Sequence, residues 1–129
     1  QLSDSGGILG FSLYPHHLKN NTNCTLDSFC EMIARTSDIM NIKNIGIGSD
    51  LCLNQPDEIV EWMRNGTWSK NKNYGEGSKN KPGFPKQPGW FEDARGFFNI
   101  EKGLRKVGFS EEETNGILGN NWYNFYRNI

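Results

Sequence analysis

The chain has 129 residues, of which 22% are charged, and a formal net charge of −1. This length suits one ordinary domain, and a charge so close to neutral gives no reason to expect nucleic acid or an anionic membrane surface as a partner. No apolar run approaches the roughly 20 residues that a membrane-spanning helix needs, so we expect no transmembrane segment. The three cysteines form no C-x-x-C pair, which argues against a zinc knuckle or a redox motif. Nothing in the sequence indicates a cellular compartment.

The first half of the chain predicts a strand, a helix and a second strand. Residues 6–15, GGILGFSLYP, are a nearly continuous apolar run that ends at Pro15, which is typical of a strand buried on both faces. Residues 25–40, TLDSFCEMIARTSDIM, repeat apolar side chains at three- and four-residue steps behind the candidate N-cap Thr25, which predicts an amphipathic helix. Residues 44–50, NIGIGSD, are the second buried strand. This order predicts a βαβ unit whose parallel strands need cover on both faces.

The second half of the chain predicts a long loop followed by helices. Residues 67–98 are rich in Gly, Pro and Lys and are too long for a simple connection, so we expect a loop insertion there. A helix is predicted over 99–108, with its first residue, an asparagine, as the N-cap. Ser110 and Glu113 then have the spacing of a capping box, which predicts another helix start. The segment NNWYNFYRN predicts a last helix with its aromatic residues on one side.

These segments, in this order, resemble the C-terminal part of the membrane dipeptidase family, also called the renal dipeptidase family. GGILGFSLYP is similar to the family's seventh barrel strand, NIGIGSD to its eighth, and NIEKGLRKVGFSEEETNGILGNNWYNFYRNI to its closing helices. The resemblance implies an α/β fold, namely the C-terminal part of a (β/α)8 TIM-type barrel: the last two strands plus the following helices. The barrel would be incomplete in this chain, with residues 1–129 a fragment of a single metallodipeptidase domain. The opening QLSDSGG reads like the end of a helix, which favours a fragment.

The same resemblance assigns candidate site residues at the ends of the two strands. Active-site groups of such barrels project from the C-terminal ends of the strands. By the match, Asp50 is catalytic: it faces a pair of zinc ions, orients the bridging hydroxide and passes a proton to the leaving amine. Tyr14 matches a position that lines the substrate pocket, and we expect His16 to contact substrate near the pocket mouth. From the residues alone, the favoured interpretation of Asp50 is a turn former or a helix cap at the strand end.

Two features of the chain depart from the family pattern. The family often continues its eighth strand as Ser-Asp-Phe-Asp-Gly, whereas residues 49–53 read Ser-Asp-Leu-Cys-Leu, so the following loop must run differently. The family's zinc ligands come from earlier strands, and nothing here matches them, so we expect no metal ligand in this chain. His16 and His17 do not replace them, since neighbouring residues of an extended chain point in opposite directions. Two zinc ions are therefore expected only in the complete family enzyme.

The leading functional hypothesis is the C-terminal part of a zinc-dependent dipeptidase, which hydrolyses dipeptides through a metal-bound hydroxide. The isolated chain is expected to be inactive, and to self-associate through exposed sheet edges. A second hypothesis is a non-catalytic homologue kept for interactions. A third is a nucleic-acid binder that uses the cations and rings of the loop insertion. Those residues are Lys70, Lys72, Lys79, Lys81 and Lys86, with Tyr74, Phe84, Trp90 and Phe91. The net charge of −1 and the absence of arginine from residues 69–91 argue against nucleic acid.

Overall fold

The computed structural model describes residues 2–56, 58–59, 62 and 84–128 of the chain. The chain forms two compact units, the first made of Gln1–Asp50 together with Gln87–Ile129 and the second of Leu51–Lys86. Residues 67–83 of the expected loop insertion lie outside the described residues, and the elements named below all belong to the first unit. Within the described part of the chain, no helix combines the length and the apolar character needed to cross a bilayer.

Two parallel strands and the helix between them form the centre of the first unit. Strand β1 spans Leu9–Ser12, helix α1 spans Leu26–Ser37 and strand β2 spans Ile45–Gly48. The strands pair in parallel, which confirms the predicted βαβ unit. Helix α1 begins where the sequence predicted, because the Oγ1 atom of Thr25 accepts a hydrogen bond of 3.1 Å from the backbone N–H of Ser28.

The expected barrel architecture is wrong. The described residues contain one sheet of two strands, β1 and β2, together with helices, whereas a (β/α)8 barrel requires eight strands. The sequence motifs specify the strand pair and the intervening helix, but the barrel was inferred from the resemblance and from the need to cover both faces of the pair. In the structure, each face of the pair is covered by elements of this chain, so the arrangement is an α/β unit built on an open parallel pair.

On one face of the strand pair, Gly10 of β1 lies opposite Gly46 of β2, and the indole ring of Trp122 covers both glycines. A Cβ atom on Gly10 would come within 2.9 Å of Cζ2 of Trp122, and a Cβ atom on Gly46 would overlap the same ring. The Nε1–H group of Trp122 donates a hydrogen bond of 3.0 Å to the carbonyl of Ile47. Glycine is required at both positions because the ring lies directly against the strand backbones.

The opposite face of the strand pair packs against α1. Phe11 of β1 meets Phe29 of α1 edge to face, with ring centroids 6.4 Å apart. Phe29, Ile33 and Ile45 are fully excluded from solvent. Burial of such side chains contributes about 1.5–3 kcal/mol each relative to exposure, so this face is a main source of stability.

Three further helices complete the first unit. Helix α2 spans Phe97–Lys106, α3 spans Glu111–Asn115 and α4 spans Asn121–Arg127, and the π-helical turn Gly116–Asn120 joins the last two. Helix α2 begins ahead of the predicted cap, Asn99. The side chain of Asn99 instead donates a hydrogen bond of 2.8 Å to the carbonyl of Trp90, so it holds the preceding loop against the helix.

The first residue of α4 anchors that helix to the start of β2. Asn121 is buried, and its Nδ2 group donates hydrogen bonds of 2.9 Å to the carbonyl of Ile42 and 2.7 Å to that of Ile45. With the neighbouring bond from Trp122 to Ile47, two consecutive side chains of α4 bind three backbone carbonyls at and before β2. These bonds satisfy polar backbone groups that would otherwise be buried without partners.

The predicted capping box is present at the start of α3. The backbone N–H of Glu113 donates to Oγ of Ser110 at 3.2 Å, and the backbone N–H of Ser110 donates to Oε2 of Glu113 at 2.8 Å. The hydrogen bond from the Ser110 backbone N–H, followed by the one from the Ser110 hydroxyl, lowers the pKa of the Glu113 carboxyl group below its usual value. The ionised form of this side chain is therefore the one that stabilises the helix start.

Acid should remove the stability that the capping box contributes. Because the pKa of Glu113 is lower in the folded chain than in the unfolded chain, its contribution is present above the ordinary pKa of glutamate and is lost as pH falls through the folded value. We expect the thermal midpoint of Glu113→Gln to be below that of the wild type at pH 7, and the two midpoints to converge below about pH 4. Thermal unfolding from pH 3 to pH 7 measures this. Glu112→Gln, in the same turn but outside the box, is the control, and an equal pH-dependent change in both variants would contradict the assignment.

Candidate active site

The carboxyl ends of β1 and β2 define the candidate active site. Since the strands are parallel, with Ser12 opposite Gly48, the segments that follow them leave the sheet at the same edge. Tyr14 lies two residues beyond Ser12, and Asp50 lies two residues beyond Gly48. The two residues that the sequence singled out therefore follow the sheet at equivalent positions.

Asp50, two residues beyond the end of β2, has an unusual backbone conformation. Its φ angle is 50°, in the left-handed region that residues other than glycine rarely adopt. Among those residues, Asp and Asn tolerate this region best. The residue is exposed, so its carboxylate is open to a ligand. This conformation turns the chain sharply at the strand end, and it agrees with a functional carboxylate as well as with a turn former.

Tyr14 is buried beneath two histidines. Only 7% of its surface is exposed, and its ring meets the imidazoles of His16 and His17 edge to face, with centroids 5.4 and 5.2 Å away. Its backbone N–H donates a hydrogen bond of 3.1 Å to Oγ of Ser12. Tyr14 is therefore a buried ring against which the two imidazoles pack.

The two histidines differ in how firmly they are held. Both are exposed and lie in a 3₁₀ turn, Pro15–His17. The Nδ1 atom of His17 lies 2.9 Å from Oγ of Ser12, whereas Nδ1 of His16 is 3.4 Å from Oδ1 of Asn21. Sequence reasoning named His16 as the substrate contact and overlooked Ser12. The 3₁₀ turn that folds His17 back onto the strand end has no periodic pattern, so no sequence signal identified the pair.

The described residues alone do not fit the two-zinc centre that the resemblance implies. No group of three or more His, Cys, Asp or Glu side chains among them is arranged to hold a metal ion, whereas a hydrolytic zinc site needs three protein ligands. Cys30 does not supply a thiolate either. Burial, and then the charge of Asp27, raise the pKa of Cys30 to about 12, so its thiol stays protonated and is a poor nucleophile.

Two aromatic residues of the expected loop insertion pack inside the first unit. The Nε1–H group of Trp90 donates a hydrogen bond of 2.7 Å to the carbonyl of Cys24, and its ring centroid lies 5.3 Å from that of Phe29. Phe91 is fully buried. These rings contribute to the core rather than offering open faces for base stacking. Four of the five lysines named with them, Lys70, Lys72, Lys79 and Lys81, lie outside the described residues.

Comparison with solved structures finds an amidohydrolase from Pseudomonas aeruginosa with a TM-score of 0.78 and 26% sequence identity. The match covers 98% of this chain and 37% of that chain. No protein-family model matches the sequence, and no curated protein matches it. The similarity supports a hydrolase-related fold for this chain.

Proposed function

We propose that this chain contributes to the hydrolysis of amide bonds, with dipeptides as the substrates. Similarity to an amidohydrolase over nearly the whole chain supports the reaction class. The observation that carries the proposal is the placement of Asp50 and Tyr14 at equivalent positions beyond the paired residues Ser12 and Gly48. Functional side chains of parallel α/β proteins gather at this edge. The motif resemblance to the dipeptidase family narrows the substrates to dipeptides.

The chemistry proposed for this edge is general acid–base catalysis by Asp50. Hydrolysis of an amide requires a base to take a proton from the attacking water, and an acid to protonate the leaving nitrogen. An ionised carboxylate accepts the first proton and, once protonated, delivers it to the amine. Asp50 is exposed, so its carboxylate is accessible for both steps. Tyr14 forms part of the pocket wall, and His16 lies beside it as a substrate contact.

Zinc enters the proposal only through the resemblance. The described residues hold no complete ligand set, so we propose that the ligands of a pair of zinc ions come from polypeptide outside them. The roles proposed for Asp50, Tyr14 and His16 do not depend on the identity of the zinc ligands.

The test compares the 129-residue chain with the complete product of its gene. Each is assayed for release of free amino acids from a panel of dipeptides, before and after removal of metal by a chelator. We expect no turnover by the 129-residue chain, and turnover by the complete product that chelation abolishes and zinc restores. A metal-loaded complete product that cleaves none of the dipeptides would instead favour the non-catalytic homologue.

A further inference from the structure

We infer that His17, oriented by Ser12, binds the free carboxylate of the dipeptide and so selects dipeptides over their amides. This inference rests on the proposed function. It starts from a contact that the proposed function does not use: the approach of His17 Nδ1 to the hydroxyl of Ser12, the last residue of β1. At 2.9 Å this is a hydrogen bond of ordinary length.

Two contacts fix the imidazole of His17 even though the residue is exposed. One is the hydrogen bond to Ser12, and the other is the edge-to-face contact with the buried ring of Tyr14, at 5.2 Å between centroids. His16 shares the ring contact, but its polar contact, to Asn21, is 3.4 Å long. An exposed side chain held by two contacts loses less conformational entropy when it binds a ligand, so His17 is the better prepared of the two.

The hydroxyl of Ser12 is able to donate its hydrogen to Nδ1 of His17, and the proposed role of His17 uses that arrangement. The Ser12 hydroxyl has one hydrogen and two lone pairs, and one lone pair accepts the backbone N–H of Tyr14. Among the described residues, the acceptor within reach of the hydroxyl hydrogen is Nδ1 of His17. When Nδ1 accepts, the neutral imidazole carries its own hydrogen on Nε2, on the opposite side of the ring. His17 therefore presents an N–H donor that is not used within the described structure.

A donor at this position complements the charge of the rest of the edge. Asp50 is an exposed acid and repels a carboxylate, so a substrate with a free carboxylate needs a donor elsewhere at the same edge. An imidazole N–H group forms a charge-assisted hydrogen bond to a carboxylate. A dipeptide amide lacks the negative charge of the carboxylate. It therefore forms a weaker hydrogen bond to His17, and we expect the site to prefer dipeptides over their amides.

The kinetic test uses the complete gene product with a dipeptide and its C-terminal amide. His17→Ala should raise KM for the dipeptide about 10- to 100-fold, the loss expected for a hydrogen bond to a charged group, and leave KM for the amide unchanged. His17→Gln keeps an N–H donor and should recover part of the affinity. Lys102→Ala, which removes an exposed cation on α2, is the control and should change neither KM. An equal rise for dipeptide and amide, or the same effect in both alanine variants, would overturn the role of His17 while leaving the proposed hydrolysis intact.

A second measurement tests the hydrogen bond between Ser12 and His17 without an activity assay. Nitrogen-15 chemical shifts of the imidazoles in the 129-residue chain report which ring nitrogen carries the hydrogen. We expect the Nε2–H tautomer for His17, loss of that preference in Ser12→Ala, and no change at His16. A hydrogen on Nδ1 of His17 in the wild type would overturn the orientation by Ser12. If the tautomer is as expected but the complete product cleaves no dipeptide, the proposed function fails, and the carboxylate role fails with it.

Discussion

Replacing Asp50 by Asn should lower kcat for dipeptide hydrolysis by the complete gene product about 10²- to 10⁴-fold, the range for loss of one general acid–base group. The substitution is nearly isosteric, and it removes the negative charge together with the ability to accept and return a proton. Asn also tolerates the left-handed backbone that Asp50 adopts at a φ of 50°, so the thermal midpoint should not fall. Steady-state kinetics and thermal unfolding of the same preparation measure both effects.

Asp50→Ala separates the catalytic role from that of a turn former. Alanine in the left-handed region costs about 1–2 kcal/mol, so this variant should be both inactive and less stable. If Asp50 only forms the turn, Asp50→Asn keeps full activity and the activity of Asp50→Ala follows its stability. Asp38→Asn, which removes another exposed carboxylate at the end of α1, should leave kcat unchanged and controls for the loss of one surface charge.

Local signals in the sequence were sufficient for the strand pair, for α1 and for the starts of α1 and α3, whereas the predicted cap of α2, Asn99, lies inside that helix. The continuous apolar runs predicted β1 and β2, and the three- and four-residue steps predicted α1 between them, which together require a parallel pair. Thr25 and the Ser110–Glu113 box marked helix starts because capping depends on side chains only three residues apart. These features are local, so a single sequence contains them.

Features that depend on distant parts of the chain were not visible in the sequence. The aromatic residues of α4 were expected on one side of a helix, but nothing indicated that Trp122 lies on the glycines of both strands. The inference of a barrel assumed that further strands cover the pair, whereas Trp122 and α1 cover it. At the candidate site, Asp50 and Tyr14 were named from motifs and their roles remain predictions. The pairing of Ser12 with His17 depends on a short turn that no periodicity reveals.

The contact between Trp122 and the glycine face should dominate the stability of the first unit. Trp122→Ala removes the ring that covers both strands and the hydrogen bond to Ile47, and we expect a loss of about 3–5 kcal/mol in the free energy of unfolding. Gly46→Ala should cost about 1–3 kcal/mol, since the new methyl group overlaps an indole that cannot easily move. The ring is held by its bond to Ile47 and by stacking on Tyr126, 5.8 Å away between centroids. Urea unfolding measures both values.

A double-mutant cycle tests whether these two effects have the same cause. Without the indole, a methyl group at Gly46 loses its three nearest neighbours, so Gly46→Ala should cost less in the Trp122→Ala background, and the coupling should reach about 0.5–3 kcal/mol. Gly89→Ala is the matched control, because a Cβ atom there has no neighbour within 4 Å. The control should be neutral in both backgrounds. Equal costs of Gly46→Ala with and without Trp122 would mean that the ring does not lie against β2. The same ring also donates a hydrogen bond to Ile47 in β2, the strand that precedes Asp50. A confirmed coupling would therefore indicate that α4 helps to hold Asp50 in position.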